Sequence, residues 1–225
     1  MDSPEPFAVF DCSLVRCPTG RACVNLRELR DALQTAPPAV IEHHMMHCVL
    51  EDHFALYEFP NDLARWCWSA LGDQILAEHL GVVDPYQHAS ISALRDQLME
   101  FIDERLWKLE RIPWCRPGLE LHLIQSRLVT YDTGERVSTP AALVESIEHM
   151  SLRSLFYHVH QARRRSGGKS DDFSQWLEGI GVGAEVVRRI RAIDFYFLNL
   201  HQLREELLAV FRETLMDPLA MKGSL

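Results

Sequence analysis

Hydrophobic and polar positions near the start of the chain follow the pattern of a strand and a turn. The run FAVFDCSLVRC from Phe7 is rich in apolar and β-branched residues, and Pro18-Thr19-Gly20 predicts a turn after it. A second run of this kind, LHLIQSRLVTY, precedes the turn signal Asp132-Thr133-Gly134. We therefore expect each run to fold back on itself as a β-hairpin.

Apolar residues recur at helical spacing after each predicted hairpin, with Leu26, Leu29 and Leu33 as the first example. Cap residues mark the helix starts, because a side-chain oxygen satisfies the exposed amides of the first turn. The predicted caps are Asn25, Asn61, Thr139 and Asp171. The pattern also predicts two long amphipathic helices, from residue 92 to about 107 and from residue 200 to about 215.

The whole order of elements occurs twice. A single shift aligns Leu14, Thr19, Gly20 and His44 with Leu128, Thr133, Gly134 and His158, and Trp66 meets Trp176 after a small gap. Matches that keep one order through gaps indicate an internal duplication. The predicted repeats are residues 7–109 and 120–215, with a Pro-rich linker at 110–119 and a flexible tail at 216–225.

The predicted fold class is α+β and mainly α-helical. It consists of two tandem homologous repeats, each a β-hairpin followed by about five helices. An isolated two-stranded hairpin is only marginally stable in water. We therefore expect the two hairpins to pair across a pseudo-twofold axis into a small antiparallel sheet within one compact body.

Charge and composition narrow the possible partners. The chain has 225 residues and a formal net charge of −9, which argues against binding to a phosphate backbone. Its six cysteines form no C-x-x-C pair, and no signal peptide or long apolar segment is visible. These features predict a cytoplasmic protein without nucleic-acid or membrane partners.

Several segments carry a resemblance to a known family. The segments DCSLVRCPTG, IPWCRP, SLFYHVHQARRR and DDFSQWL, in this order, resemble a bacterial family known only as a domain of unknown function. The resemblance extends from about residue 7 to about residue 211. The segment EHHMMH departs from the more aromatic segment expected at that place. The resemblance implies no activity.

A histidine cluster is the first candidate site. His43 and His47 lie four residues apart, a spacing at which two imidazoles on one helix face chelate a metal, and Glu51 continues that face. The zinc-protease signature H-E-x-x-H is absent. The metal hypothesis therefore names His43, His44, His47 and His158 as ligands of a divalent ion; the alternative is that His44 and His158 are structural.

A basic run forms the second candidate site. Arg163, Arg164, Arg165 and Lys169 lie in RRRSGGKS, where the order of glycines excludes a phosphate-binding P-loop. Arginine side chains suit carboxylate and phosphate groups, so the run predicts binding of an anion or an acidic partner. The alternative is a solvated helix end, where cations complement the helix dipole.

Three hypotheses for function follow. The first is a non-enzymatic protein-binding, scaffold or regulatory module that binds a protein partner or self-associates, with no resident cofactor. The second is a metal-dependent enzyme, such as a hydrolase, that uses the histidine cluster; Ser13, His44 and Asp62 also match a hydrolase triad by residue type alone. The third is a small-ligand sensor with a pocket between the repeats.

Overall fold

The computed structural model of the chain describes residues 5–51 and 59–215. The predicted flexible tail at 216–225 lies outside these ranges. The described residues form a mainly helical α+β fold with a small two-stranded antiparallel sheet, which confirms the predicted class. No helix within these ranges is long and apolar enough to cross a lipid bilayer.

The chain divides into two compact units. The central unit is Leu14–Leu128, and the terminal unit combines Met1–Ser13 with Val129–Leu225. Two strands, β1 (Phe7–Cys23) and β2 (Leu121–Val137), each contribute residues to both units. The compact units therefore do not coincide with the predicted sequence repeats, which stay a prediction.

The two predicted hairpins are wrong. β1 continues through Pro18-Thr19-Gly20 and pairs with β2 instead of folding back. In the central unit the Thr19 hydroxyl donates to the carbonyl of Leu123 (2.8 Å), and in the terminal unit the Thr133 hydroxyl donates to the carbonyl of Val9 (2.7 Å). Gly20 has a φ of 77°, so the turn chemistry is present locally. Pairing with a long distant strand satisfies more backbone groups than a short hairpin would.

The central unit carries five α-helices among its described residues. They are α1 (Leu26–Thr35), α2 (Pro38–Glu42), α3 (Asp62–Trp66), α4 (Gln74–Gly81) and α5 (Ile91–Lys108). Short 3-10 turns occur at Cys48–Leu50 and Pro85–Gln87. The stripe of Leu26, Leu29 and Leu33 is buried, and α1 packs against α5. Each such leucine contributes about 1.5–3 kcal/mol by leaving water.

The described part of the terminal unit has a similar sequence of helices. They are α6 (Pro140–His149), α7 (Leu152–Phe156), α8 (Ala162–Arg165), α9 (Asp172–Gly179), α10 (Ala184–Arg191) and α11 (Leu200–Leu215), with a 3-10 turn at Phe195–Phe197. α6 packs against α11 in this unit. The two long predicted helices are confirmed as α5 and α11, each within a residue or two of the predicted bounds.

The four predicted N-caps are also confirmed. In each case the side-chain oxygen accepts the backbone N–H three residues later, which satisfies one exposed amide of the first turn. The caps are Asn25, Asn61, Thr139 and Asp171. Two of these caps, Asn61 and Asp171, are each followed by an aspartate at the first helical position, in α3 and α9.

Both histidine segments lie in π-helical turns, His43–His47 after α2 and Tyr157–Gln161 after α7; a further π-helical turn, Cys67–Leu71, follows α3. Such turns are rare, and they occur often at functional sites. A π-helical turn bonds residue i to residue i+5, so residues four apart no longer share a face as they do in an α-helix. The spacing argument for His43 and His47 therefore does not apply here.

Candidate functional site

His44 is the centre of the buried polar cluster in the central unit. Its Nδ1 lies 2.9 Å from Asp62 Oδ2, and its Nε2 accepts the backbone N–H of Ile124 at 3.1 Å. Because Nε2 accepts a hydrogen bond, it carries no proton, and the proton of the neutral ring must be on Nδ1. His44 thus donates to Asp62, and both of its nitrogens are satisfied.

The carboxylate of Asp62 is shared between two donors. Its second oxygen, Oδ1, accepts a hydrogen bond from Arg65, one turn further along α3. Burial lowers the pKa of His44 to about 4, because the imidazolium ion would lose its hydration; Glu51 opposes this change and Arg65 adds to it. At neutral pH the cluster therefore consists of the neutral ring of His44 and the ion pair between Asp62 and Arg65.

His43 is buried beside this cluster without any hydrogen bond. Its side chain is 1% exposed, and neither ring nitrogen has a hydrogen-bond partner in the described part of the chain. Glu51 Oε1 lies 3.7 Å from His43 Nε2, beyond hydrogen-bond range. Burial lowers the pKa of His43 to about 3, with His44, His47 and Arg16 adding to the effect. An unsatisfied buried group of this kind costs about 1–3 kcal/mol.

The structure groups the predicted metal ligands differently from the prediction. Each of His43, His44 and Asp62 places one ligand atom within 4.8 Å of the others. His47 makes a different contact: its Nδ1 lies 2.8 Å from Ser126 Oγ. His158 belongs to the terminal unit. The metal hypothesis missed Asp62, although its place directly after the Asn61 cap was visible in the sequence.

These three residues fit a metal ion poorly. A metal on His44 Nδ1 would move the ring proton to Nε2, where the N–H of Ile124 already points at the nitrogen. The metal ion would also displace His44 from Asp62 Oδ2. It would be repelled by the positive charge of Arg65, which is paired with the same carboxylate. The same geometry bears on the hydrolase hypothesis, since Nε2 bonds to a backbone amide instead of a serine hydroxyl.

A cluster of the same composition lies in the terminal unit. His158 Nδ1 is 2.9 Å from Asp172 Oδ2, and His158 Nε2 accepts the backbone N–H of Phe10 at 3.0 Å. Arg165 pairs with Asp172 at 2.8 Å. Tyr157 stands where the central unit has His43, and the Arg165 guanidinium lies over the Tyr157 ring, 4.5 Å from its centre. In the terminal unit, the residue before the cluster histidine therefore contacts the cluster arginine.

The basic run does not present its four cations as one group. Arg163 is buried, lies 4.4 Å over the Phe195 ring and donates to the carbonyl of Ile190. Arg165 belongs to the cluster just described, whereas Arg164 and Lys169 are exposed. Two of the three arginines thus hold the fold of the terminal unit, and the predicted anion site stays a prediction.

Most thiols of the chain are held in the protonated form. Burial raises the pKa of Cys12 to about 12, of Cys23 to about 11 and of Cys48 to about 12. Burial also raises the pKa of Cys67, while Cys17 is exposed. Because the thiolate is the nucleophile, the buried thiols are unreactive at neutral pH.

One surface feature escaped the sequence interpretation. Trp107, at the end of α5, is 91% exposed, and Trp114, in the segment that follows, is 68% exposed. Arg111 and Arg116 lie in the same stretch, and neither has an ion-pair partner among the described residues. We call residues 107–116 the Trp–Arg segment. Its two tryptophans were visible in the sequence, but Trp107 was interpreted as the end of a helix and Trp114 as part of a linker.

Comparisons with known proteins place the chain in a family but give no activity. A solved structure entitled "The structure of OrfY from Thermoproteus tenax" is similar, with a TM-score of 0.75 and 27% sequence identity, covering 94% of this chain and 97% of that one. No curated protein matches the chain. Residues 4–212 match the model of a family described as "Family of unknown function (DUF5752)", so the chain belongs to this family.

Proposed function

We propose that this chain is a non-enzymatic, cytoplasmic protein-binding module whose partner docks on the Trp–Arg segment. The observation that carries the proposal is the exposure of Trp107, at 91% of its surface. Tryptophan is highly buried on average in folded proteins, and it is enriched among the residues that dominate binding energy at protein interfaces. Trp114 repeats the feature seven positions later.

The charges of the segment favour an acidic partner. Arg111 and Arg116 are exposed and have no ion-pair partner in the described ranges, although the whole chain carries a net charge of −9. A local positive surface on an acidic protein attracts a partner with negative groups and repels a basic one. Arginine is also, with tryptophan, among the residues most enriched at the centres of interfaces.

The dimensions of the segment fit one interface. The nine residue steps from Trp107 to Arg116 span at most about 32 Å even when fully extended. A standard interface covers about 800 Å² on each partner, which corresponds to a patch of similar breadth. Both indoles are thus within reach of a single folded partner.

The buried clusters support a binding role over a catalytic one. His44 and His158 each have both ring nitrogens engaged, one by a carboxylate and one by a backbone amide. Groups used in this way position strands and helices, whereas a catalytic base needs a free lone pair directed at substrate.

Repeated contacts support the duplication as part of this proposal. Trp66 Nε1 donates to the carbonyl of Leu119, and Trp176 Nε1 donates to the carbonyl of Glu5, at positions that the repeat alignment equates. In the same way, Arg95 donates to the carbonyl of Ala36 and Arg204 to that of Met150, just after α1 and α6. This agreement of local contacts supports the internal duplication.

The test is to isolate the partner and then remove the indole. The immobilised chain is incubated with an extract of its own source cells, and the retained protein is identified, produced and titrated against variants. We expect an acidic protein whose affinity falls about 30-fold or more for Trp107→Ala, the loss typical of a central interface residue. Arg111→Ala should mainly slow association, and more so at low salt.

Val82→Ala is the matched control. Val82 is 70% exposed, apolar and in the same unit, but it lies outside the Trp–Arg segment. Equal binding by wild type and Trp107→Ala would overturn the proposal, as would a monomeric chain that retains no partner. A dimer by light scattering that dissociates in Trp107→Ala would replace the acidic partner with a second copy of the chain.

A further inference from the structure

The central unit exposes two further large apolar side chains near the Trp–Arg segment. Trp68, in the π-helical turn Cys67–Leu71, is 40% exposed, and Ile75, in the first turn of α4, is 52% exposed. Exposed apolar residues that are scattered singly are common on protein surfaces, whereas a group of them marks an interaction site. Trp68 and Ile75 therefore point to a partner only if they lie together and beside Trp107.

A buried ion pair joins the start of α4 to the last turn of α5. Both carboxylate oxygens of Asp73 accept the Nε–H of Arg105, at 2.8 and 3.0 Å, and the Asp73 side chain is only 2% exposed. A charge-assisted pair that is shielded from water holds the two helix ends firmly together. Ile75 lies two residues after Asp73. Trp107 lies two residues after Arg105, so the ion pair keeps both apolar side chains at one corner of the unit.

The same aspartate positions the turn that carries Trp68. The backbone N–H of Asp73 donates to the carbonyl of Cys67, 2.9 Å away, so the residue next to Trp68 is bonded directly to the cap of α4. The Trp68 ring also packs against Phe59, with ring centres 5.6 Å apart. We call four residues the α4 corner: Trp68, Asp73, Ile75 and Arg105. The α4 corner adjoins the Trp–Arg segment along α5.

The terminal unit has charged residues at the positions of these two apolar side chains. The repeat alignment equates Trp68 with Glu178. It equates Ile75 with Glu185, and α10 begins and ends at the positions aligned with α4. Both glutamates are exposed, and each pairs with an arginine of α10, at 2.7 and 2.6 Å. The same local fold therefore forms without apolar residues here, so folding does not explain them, whereas a partner that covers them does.

The elements and charges of this surface favour one kind of partner. An added strand binds through the backbone groups of a sheet edge, but Trp68, Ile75 and Trp107 all lie in helices or helical turns. An amphipathic helix instead binds through the side chains of one face. The charged residues of the Trp–Arg segment are three cations, Lys108, Arg111 and Arg116, and one carboxylate, Glu110. This excess of positive charge is complementary to an acidic helix.

We propose that the α4 corner and the Trp–Arg segment together bind an acidic amphipathic helix of the partner protein. The apolar face of this helix covers Trp68, Ile75 and Trp107, and its carboxylates meet Arg111 and Arg116. This role rests on the proposed function, because it extends the same docking surface, and on the internal duplication, because the second repeat supplies the comparison. It adds to that function both the α4 corner and the form of the bound segment.

Fluorescence anisotropy with a synthetic helix tests the site. The probe is a fluorescein-labelled peptide of about 14 residues, which is about 20 Å long as a helix. It carries leucine at positions i, i+3, i+4 and i+7, with glutamate and alanine elsewhere. We expect saturable binding to the wild-type chain at physiological salt. A scrambled peptide of the same composition, whose leucines do not share a face, should not saturate.

Two polar variants measure the contribution of the α4 corner. Ile75→Gln and Trp68→Gln should each weaken peptide binding about fivefold or more, because each removes a contacted apolar side chain without changing the charge. Val82→Gln is the matched control, since Val82 is 70% exposed at the other end of α4, and it should change affinity less than about twofold. Melting temperatures show that the variants are folded. Ile75→Gln alone decides the test if Trp68→Gln, which also loses its contact with Phe59, is unstable.

Trp107→Ala in the same titration separates this site from the proposed function. Loss of binding in Trp107→Ala but not in Ile75→Gln would confine docking to the Trp–Arg segment and overturn only the part of the α4 corner. The reverse pattern would keep the corner and overturn docking on Trp107. No saturation by the wild-type chain, or equal weakening by Ile75→Gln and Val82→Gln, would also overturn the helix site. A dimer by light scattering that dissociates in Ile75→Gln would replace the helix with a second copy of the chain.

Discussion

The His44 and His158 clusters have the same three groups in different surroundings. In the central unit the Arg65 side chain is 16% exposed, and His43 is buried without a hydrogen bond to any residue that the structure describes. In the terminal unit the Arg165 side chain is 46% exposed and Tyr157 packs beneath it. The same hydrogen bonds are therefore made in a drier setting in one unit than in the other. Away from water, the attraction within an ion pair is stronger, and removal of one partner costs more free energy. We therefore expect the central cluster to control the stability of its unit.

Acid should have the largest effect on the stability of the central cluster. The pKa values of His43 and His44 are lowered to about 3 and about 4, from 6.5 in an unfolded chain, so the unfolded state binds more protons than the folded state between these values. Stability is then complete above about pH 6.5 and falls as the pH drops towards 4, by up to about 1.4 kcal/mol per pH unit for each histidine.

Amide hydrogen exchange followed by NMR measures this loss in each unit. The reporters are the amides of Ile124 and Phe10, which donate to His44 and His158. Protection of Ile124 should decline steeply between pH 6.5 and 4 after correction for intrinsic exchange. Protection of Ile124 that does not change over this range would contradict the neutral state of His44.

Removal of the shared carboxylate should have the next largest effect. Asp62→Ala removes the carboxylate that accepts hydrogen bonds from both His44 and Arg65 in the buried cluster, and we expect a loss of about 3 kcal/mol in the free energy of unfolding. Asp172→Ala is the matched variant in the terminal unit, where solvent replaces part of the lost contact, and it should cost about 1 kcal/mol. Urea unfolding gives both values, and equal losses would remove the proposed difference in solvation.

Replacing His43 should stabilise the chain. His43→Leu removes a buried imidazole that has no hydrogen-bond partner among residues 5–51 and 59–215, so we expect a gain of about 1 kcal/mol at pH 7 and a shallower dependence on acid. Tyr157→Leu at the aligned position should instead lose about 1 kcal/mol, since it removes the ring beneath Arg165. A destabilised His43→Leu variant would point to a contact or ligand of His43 that favours the imidazole.

Thiol labelling should detect the smallest difference, the local opening of each cluster. The Cys48 Sγ lies 3.4 Å from the carbonyl of His44, and the Cys12 Sγ lies 3.3 Å from that of Arg153. Both thiols are buried, so each reacts only when its surroundings open. Asp62→Ala should accelerate labelling of Cys48 by several-fold and leave Cys12 unchanged, as measured by peptide mass spectrometry, with exposed Cys17 as the internal reference.

Local features of the fold were predictable from the sequence, and distant pairings were not. The caps at Asn25 and Thr139 were correct because a cap depends on residues within one turn. The hairpins were wrong because Pro18-Thr19-Gly20 gives a true turn signal, while the pairing partner of β1 lies about a hundred residues away.

The candidate site was predicted in part for the same reason. His44 and Asp62 were both recognised as polar residues of interest, but nothing local indicated that His44 Nε2 would meet the amide of Ile124. The π-helical turn at His43–His47 has no sequence signature that distinguishes it from an α-helix, so the pairing of His43 with His47 was inferred from the wrong helical period. Exposure of Trp107 depends on the absence of a packing neighbour, which no sequence pattern reports.

The shared strands bear on how such a chain arises. Residues 7–13 of β1 belong to the terminal unit and residues 14–23 to the central unit, with β2 divided in the same manner. On the duplication proposed above, an ancestor with only one repeat would have had a single strand without a pairing partner, and it would have formed its sheet with the same strand of a second molecule. The present chain then corresponds to a strand-swapped dimer fused into one gene, and a protein shortened to either repeat should dimerise or fail to fold.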